Sequence, residues 1–436
     1  MLPGKDSSSW QRIEVHWKGC CSLIDERRVM KQFVLIACTV CLTCIALLGS
    51  AEQSRAQDAP TLLDALRSGS TNASFLLRGE GVETSALDKS AGALTLRTQL
   101  GYEMAPFRGW SGYVEFEAVS AVLGEKRHAN AGFGDSNNGV ANRPVIADPG
   151  GSEMNQGWVR FEKDAYRVTV GRQEIVLSDS RFVGNVGWRQ NHQSFDAARV
   201  DVSPSDRISG TYAFVREAHR ITRQEATMRS HLAEGRIQLG EVGTLSAFAF
   251  VLDYPHEAAM SRSTFGARFQ GLRAVNDRLQ GTFEVSYAMQ RDAFDNPTSV
   301  QADYLAAGVG LTKGSSGIEI RFESLSGSTS DGSFVTPLAT LHKFNGWADV
   351  FLATPTDGLT DFQVTLKHTL NKVSITVVAH DFSAQDGDRH HGREVDLSIG
   401  YPLRPGLPIG LKMAHYMADE TAADLTKVWI WTRLTR

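Results

Sequence analysis

The chain has 436 residues, 42% of them hydrophobic and 22% charged, with a net charge of −4. That balance excludes a disordered chain and argues against a nucleic-acid partner, which would call for a basic surface. All five cysteines (Cys20, Cys21, Cys38, Cys41, Cys44) fall in the first tenth of the sequence.

The first segment reads as a targeting sequence. Arg27, Arg28 and Lys31 precede an apolar run from Phe33 to Leu48, and Ser54-Arg55-Ala56 closes it with small residues. A basic start, a short apolar stretch and a small-x-small site define a secretory signal peptide. The run is shorter than the ~20 residues of a spanning helix. Residues 1–56 are therefore expected to be a signal peptide, with Met30 as a plausible true start, and residues 57–436 to be one exported domain. That domain has no cysteine, and its 38 Lys and Arg against 44 Asp and Glu leave a net charge of −6. It also lacks any run of ~18 apolar residues, which excludes a helical membrane protein.

After a short helical turn at Leu62–Arg67, polar and apolar residues alternate almost to the end. Leu94, Leu96, Leu100 and Tyr102 share one face of a strand, with Thr95, Arg97, Gln99 and Glu103 on the other. Trp110, Val114, Phe116 and Ala118 oppose Ser111, Tyr113, Glu115 and Glu117. The same period-two pattern, the mark of strands with one wet and one apolar face, recurs at 166–172, 207–216, 234–239, 244–253, 264–271, 279–290, 304–311, 318–323, 362–367, 373–382, 394–401, 409–413 and 427–434. Between 155 and 201, two such strands are followed by a segment crowded with Arg, Asp, Gln and Trp. Gly124–Gly157 and Gly327–Asn345 read as long outward-facing loops, rich in Gly, Asn, Asp and Ser.

A soluble sandwich would solvate its polar faces, normally with Lys. Here lysine is scarce on the strands and Arg, Glu, Gln, Ser and Gly dominate, as suits an aqueous lumen. Tyr102, Trp110, Tyr287, Tyr401 and Trp431 lie near strand ends, where an interfacial girdle places aromatics. With ~10 residues per membrane strand plus a connection, 380 residues correspond to about 18 strands. The expected fold is thus all-β: a single antiparallel, up-and-down transmembrane barrel of about 18 strands (16–18), with a water-filled lumen and inward-folded loops.

Four stretches carry a resemblance to a known family: ADPGGSEMNQ (Ala147–Gln156), GRQEIVLSDSRFVGNVGWRQNHQSFDAARV (Gly171–Val200), TPLATLHKFNGWADVF (Thr336–Phe351) and TPTDGLTDF (Thr354–Phe362). They resemble the alginate-export family, and the likeness spans nearly all of the exported domain. It implies a large outer-membrane β-barrel channel of a Gram-negative bacterium, although the chain ends Leu434-Thr435-Arg436 where such barrels commonly end on an aromatic residue.

The expected function is passive passage of hydrophilic, anionic solutes, either an alginate-type polyuronate or smaller acidic or sugar-like compounds. The expected partners are outer-membrane lipid and lipopolysaccharide, the solute itself and periplasmic export proteins. Arg172, Glu174, Asp179, Arg181, Arg189, Asp196 and Arg199 match positions prominent in the family motif and are the expected constriction, with Asp179–Gln193 folding inward. Arg97, Arg160, Arg268, Arg321 and Arg433 are further lumen candidates. Guanidinium suits this role because its planar fork binds carboxylate bidentately. The same faces carry enough Glu and Asp that any one Arg equally fits an Arg–carboxylate ladder between strands. A plug held by Arg181–Asp179 and Arg199–Asp196 pairs is the corresponding structural alternative.

Other classes fit less well. Ser194 and the scattered histidines form no interpretable triad, so no catalytic residue and no cofactor are expected; an outer-membrane hydrolase and a non-conducting structural or adhesive barrel remain the rivals. His380-Asp381 with Asp386, Asp388, His390 and His391 reads as a solvated turn rather than a metal site.

Overall fold

The computed structural model describes residues 58–419 and 422–436; the expected signal peptide lies outside them. A six-residue helix, α1 (Leu62–Arg67), begins at Thr61, whose hydroxyl accepts the Asp64 N–H as an N-cap. Eighteen strands follow: β1 (Ser70–Thr84), β2 (Ala91–Glu103), β3 (Trp110–Leu123), β4 (Gly151–Lys163), β5 (Tyr166–Gln173), β6 (Ser194–Ser205), β7 (Ile208–His219), β8 (Glu225–Gln238), β9 (Thr244–Leu252), β10 (Arg262–Asn276), β11 (Leu279–Asp292), β12 (Gln301–Lys313), β13 (Ser316–Leu325), β14 (Leu359–Leu370), β15 (Val373–Ser383), β16 (His390–Arg404), β17 (Leu407–Ala418) and β18 (Leu425–Thr435). Each pairs antiparallel with the next, and β1 pairs with β18 from Ser74↔Thr435 to Thr84↔Leu425, closing the sheet into a barrel. Closure removes both sheet edges.

The alternation sorts side chains as expected. Leu100, Phe116, Val159, Val170, Val285, Val309, Phe362 and Ile430 are exposed on the outer wall. On the inner wall of the same strands, Arg97, Glu117, Thr169, Ser286, Asp361 and Trp429 are buried. An apolar exterior around buried charges is the reverse of a water-soluble protein and suits a lipid environment.

The connections divide by end. Two-residue turns at 164–165, 206–207, 277–278, 314–315, 371–372 and 405–406 join strands at one end. The left-handed region is taken by the first turn residue at Asp164 (φ 51°), Gly314 (φ 57°) and Asn371 (φ 55°) and by the second at Gly406 (φ 73°), the conformation tight hairpins need and these residue types tolerate. The long connections, 124–150, 174–193 and 326–358, all lie at the other end.

Two sequence expectations change here. The strand β4 already begins at Gly151, inside the stretch read as loop. The 327–345 segment does not face outward: Phe334, Leu338 and His342 are buried. Its apolar residues fill the lumen because no lipid or core is available to them elsewhere.

Candidate functional site

Two inward loops, 174–193 and 326–358, build the site. Their apolar residues set the anchorage. Ile175, Leu177, Phe182, Val183, Phe334 and Leu338 pack with inner-wall residues Phe195, Phe248, Phe250 and Tyr304 in one buried cluster. Phe182 lies against four rings, with centroids 4.8 Å from Phe248, 6.0 Å from Phe250, 5.3 Å from Tyr304 and 6.2 Å from Phe334. The two loops also pair directly: Gly184 N–H donates to Leu338 O (2.8 Å) and Thr340 N–H to Ser180 O (3.0 Å).

Charge then locks the loops to the wall through two carboxylates. Glu323 on β13 accepts from Arg181 Nε (2.8 Å), Arg321 (3.1 Å), Tyr304 Oη (2.6 Å) and Asn345 Nδ2 (2.7 Å). Arg181 also donates to Thr336 Oγ1 (3.3 Å) and Asn345 Oδ1 (3.2 Å) and lies over the Phe344 ring. Burial disfavours its charge, but Glu323 outweighs that and raises its pKa. The second carboxylate, Asp349 in the 326–358 loop, accepts from Arg189 (2.8 Å), Lys427 (2.8 Å) and His342 Nδ1 (2.7 Å). Its pKa is held well below the ordinary range, because His342, Lys427 and Arg189 overcome the penalty of burial. Arg189 also reaches both oxygens of Glu80.

The expected residues sort into three groups. Arg181, Arg189 and Glu174 lie in the inward loop: Glu174 accepts from His192 Nδ1 (2.7 Å), Asn185 (2.6 Å) and Asn155 (3.0 Å). Asp179 lies at the tip, where Ser178, Asp179 and Ser180 all have positive φ, and it is held by Lys343 Nζ rather than by Arg181. Such a strained run persists only where its surroundings dictate it.

The second group lies on the inner wall. Arg199 pairs with Asp201 (2.7 Å), not Asp196. Arg97 donates to Arg189 O (3.3 Å) and contacts His192. Arg160 donates to Thr169 Oγ1 (3.2 Å) over the Trp158 ring. Arg268 pairs with Glu284, and Arg321 with Glu284 (3.6 Å) and Glu323. Of these pairs, only Arg268–Glu284 joins neighbouring strands in the way expected of an Arg–carboxylate ladder, with Arg321 reaching Glu284 across β12; Arg199–Asp201 and Arg321–Glu323 pair within one strand. Arg433 alternates with the exposed Val428 and Ile430 and has no ion-pair partner among the described residues.

The third group departs from expectation. Arg172 and Asp196 pair with each other (2.8 Å) on the outer wall, because Gln173, Phe195 and Ala197 beside them take the buried inner positions. They do not line the lumen.

Beneath the loops lies a chamber of about 660 Å³. Arg181, Arg268, Arg321, Lys343, Lys367 and Lys412 line it, against Asp179, Glu284 and Glu319. It shares Ser178, Asp179 and Arg268 with a second space of about 680 Å³ that reaches Asp206 and Arg207 at the short-turn end. One cation differs from the rest. Lys412 on β17 has no carboxylate partner within ion-pair distance among the described residues; its Nζ donates to His342 Nε2 (2.7 Å). Its Nζ lies 3.8 Å from the Trp347 ring centroid, 4.3 Å from Trp188 and 5.7 Å from Trp429, so three aromatic faces hold the ammonium. Trp188 stacks on His342 at 5.0 Å. His342, Trp347 and Asp349 were not singled out from the sequence, although two aromatic residues beside a charged pair in a loop was the available signal.

His342 makes a pH prediction. Burial, reinforced by Lys412, lowers its pKa to about 3 even though Asp349 opposes this. It is neutral, which fits Nδ1–H donating to Asp349 while Nε2 accepts from Lys412. A base whose folded pKa lies below its unfolded value of ~6.5 stabilises nothing above pH 6.5 and progressively disfavours the folded state as pH falls towards 3. Between pH 6.5 and 4 the loss is on the order of 3 kcal/mol. Acidification is expected to loosen the 326–358 loop, read as protease sensitivity or channel noise, and His342→Gln should remove that step. An identical acid profile in the variant would refute it.

Residues 132–319 match the model of the family described as "Alginate export". No curated protein matches the chain by sequence. Among solved structures, OccAB4 of Acinetobacter baumannii aligns with a TM-score of 0.66 at 12% identity, over 84% of this chain and 98% of that one. OpdL of Pseudomonas aeruginosa aligns at 0.66 and 11% identity, over 85% and 99%. OpdK of the same organism, determined with vanillate, aligns at 0.65 and 10% identity, over 84% and 98%. The chain is therefore a closed 18-stranded barrel with the fold of outer-membrane porins, similar over residues 132–319 to the alginate-export family.

Proposed function

We propose that the protein is an outer-membrane channel for small anionic solutes, constricted by the 174–193 and 326–358 loops. The observation that carries this reading is the chamber lining, with six cations against three carboxylates, one of the cations (Lys412) having no carboxylate within ion-pair distance among the described residues. Rings of Arg and Lys serve anion pores, and Lys412, buried in the lining without a close carboxylate among the described residues, adds to the positive field a passing anion would meet. Aromatic faces at Trp188, Trp347 and Phe344 suit solutes with an apolar or sugar-like plane. OpdK, similar in fold, was determined with vanillate, a carboxylate.

Passage of an alginate-type polyuronate is the second reading, favoured by the family match over residues 132–319. A polymer would have to thread past loops whose residues are packed and buried, whereas a small acid fits a chamber of about 660 Å³. The test is the mature protein in a planar bilayer with asymmetric KCl. Steady anion-selective current reduced by small carboxylates supports the proposal. Block by uronate oligomers alone points to the polymer. Absence of current, or cation selectivity, overturns the channel reading as stated.

A further inference from the structure

We propose that Asp196, Glu217 and His219 form a binding site for a zinc-class divalent metal ion on the outer wall of the barrel, at the long-loop ends of β6 and β7. The geometry begins with a backbone irregularity. The β6–β7 register shifts between Asp196 and Ala197, and the β7–β8 register between Val215 and Glu217. Bulges of this kind re-aim side chains. Ala213 and Val215 face inward, and after the bulge so does Ala218, all three fully buried. Glu217 and His219 are thereby turned outward, beside Asp196. One donor atom from each of the three lies within 4.8 Å of the others.

The histidine supplies an independent pointer to a ligand. His219 is only 6% exposed, yet its Nε2 has no hydrogen-bond partner among the described residues. That atom lies 3.3 Å from Asp196 Oδ2 without hydrogen-bond geometry, while Nδ1 lies 3.6 Å from Glu225 Oε1. With the Nδ1 proton turned to Glu225, the Nε2 lone pair faces the two carboxylates. A carboxylate behind the ring and a bare nitrogen in front is how metal-binding histidines are oriented. Arg172 grips Asp196 through Nε (2.8 Å) and a terminal nitrogen (3.1 Å), fixing the carboxylate from behind.

Donor chemistry selects the ion class. One imidazole nitrogen and two carboxylate oxygens suit Zn²⁺ better than the all-oxygen shells of Ca²⁺ or Mg²⁺. Bonds of ~2.0–2.1 Å place tetrahedral ligands roughly 3.3 Å apart, so modest side-chain rotation closes the present spacing. Asp196, Glu217 and Glu225 against Arg172 leave two negative charges to balance a dication, and the adjacent Arg223–Glu153 pair adds none. A fourth position remains for water or an anionic oxygen. Because Asp196 comes from β6 and the other two ligands from β7, the ion would clip these strands together just after the 174–193 loop.

The test uses the mature barrel, tag-free and stripped with EDTA, titrated with Co²⁺ by visible absorption and then competed with Zn²⁺. One saturable site per chain is expected, with His219→Ala and Asp196→Asn each weakening it at least ~10-fold. His390→Ala, which alters a different rim histidine, near Asp381 and Asp419, should leave the titration unchanged. Anomalous diffraction at the zinc edge should place the ion between Asp196 and His219. Absence of saturable binding, binding as tight in both variants as in the parent, or a zinc peak elsewhere overturns the proposal. Having two variants on different strands keeps the test decisive if one of them does not fold.

Discussion

Replacing Arg181 by Met is expected to destabilise the barrel strongly and to raise its conductance. Arg181 is buried, and its guanidinium answers Glu323 on one side and Thr336 and Asn345 on the other. Removing one partner of a buried pair strands the other charge, at ~3–5 kcal/mol. Arg321 and Tyr304 still hold Glu323, so the loss should fall towards the lower end of that range. The tie from the 174–193 loop to β13 and to the 326–358 loop would be lost, and loops freed from it should widen the passage. The decisive comparison is Arg181→Met with Glu323→Gln. Removing both charges takes away the stranded carboxylate and leaves Arg321 to Glu284 (3.6 Å) alone, so part of the lost stability should return, measured by denaturant unfolding in detergent. If the single and double variants are equally unstable, the pair is not what holds the loops. If conductance is unchanged in the single variant, the loops do not constrict the pore.

Arg181 also shows where sequence reasoning succeeds and stops. That Asp179–Gln193 folds inward was legible from its crowding of guanidinium and carboxylate groups, which suits neither a lipid-facing strand nor an apolar core. The partner was not legible: Glu323 lies 142 residues away, and the nearer Asp179 was the natural local guess. Long-range pairing in a barrel depends on the register of many intervening strands, and no local pattern encodes it. The strands themselves were legible because lipid imposes alternation at each one. Two strands were not read as such: β6, whose first residues fell in the crowded polar segment, and β1, for which there is a physical reason. Its outward positions include Gly79 and Gly81, so the apolar half of the pattern is blank where Arg78 and Glu80 mark the polar half.

The same limit explains Arg172 and Asp196. Both belong to the motif-like stretch and pair across the unbroken β5–β6 register, but alternation with the buried Gln173, Phe195 and Ala197 puts them on the outer wall. A shift of one residue exchanges lumen for lipid. The family likeness thus located a functional neighbourhood without separating its inner face from its outer one.

Lys412 should behave in the opposite way to Arg181. Lys412→Met removes a cation that has no ion-pair partner among the described residues, so no buried carboxylate is left stranded at close range. The Met side chain has nearly the same length and packs among Trp188, Trp347 and Trp429 in place of the ammonium. What is lost is the hydrogen bond to His342 and the aromatic contacts, each of the latter worth about 0.5–2 kcal/mol, offset by no longer desolvating a charge. Net stability should change by about 1 kcal/mol or less, well short of the effect at Arg181. Solute recognition should suffer more. A charge-assisted hydrogen bond contributes ~1.5–3 kcal/mol, so block of the current by a small carboxylate should weaken roughly 10–100-fold, and the reversal potential in asymmetric KCl should move towards cation selectivity. Normal stability with lost anion preference would identify Lys412 as the residue that receives the solute. Unchanged selectivity would transfer that role to the paired cations Arg268 and Arg321, whose carboxylates would then have to yield to the passing anion.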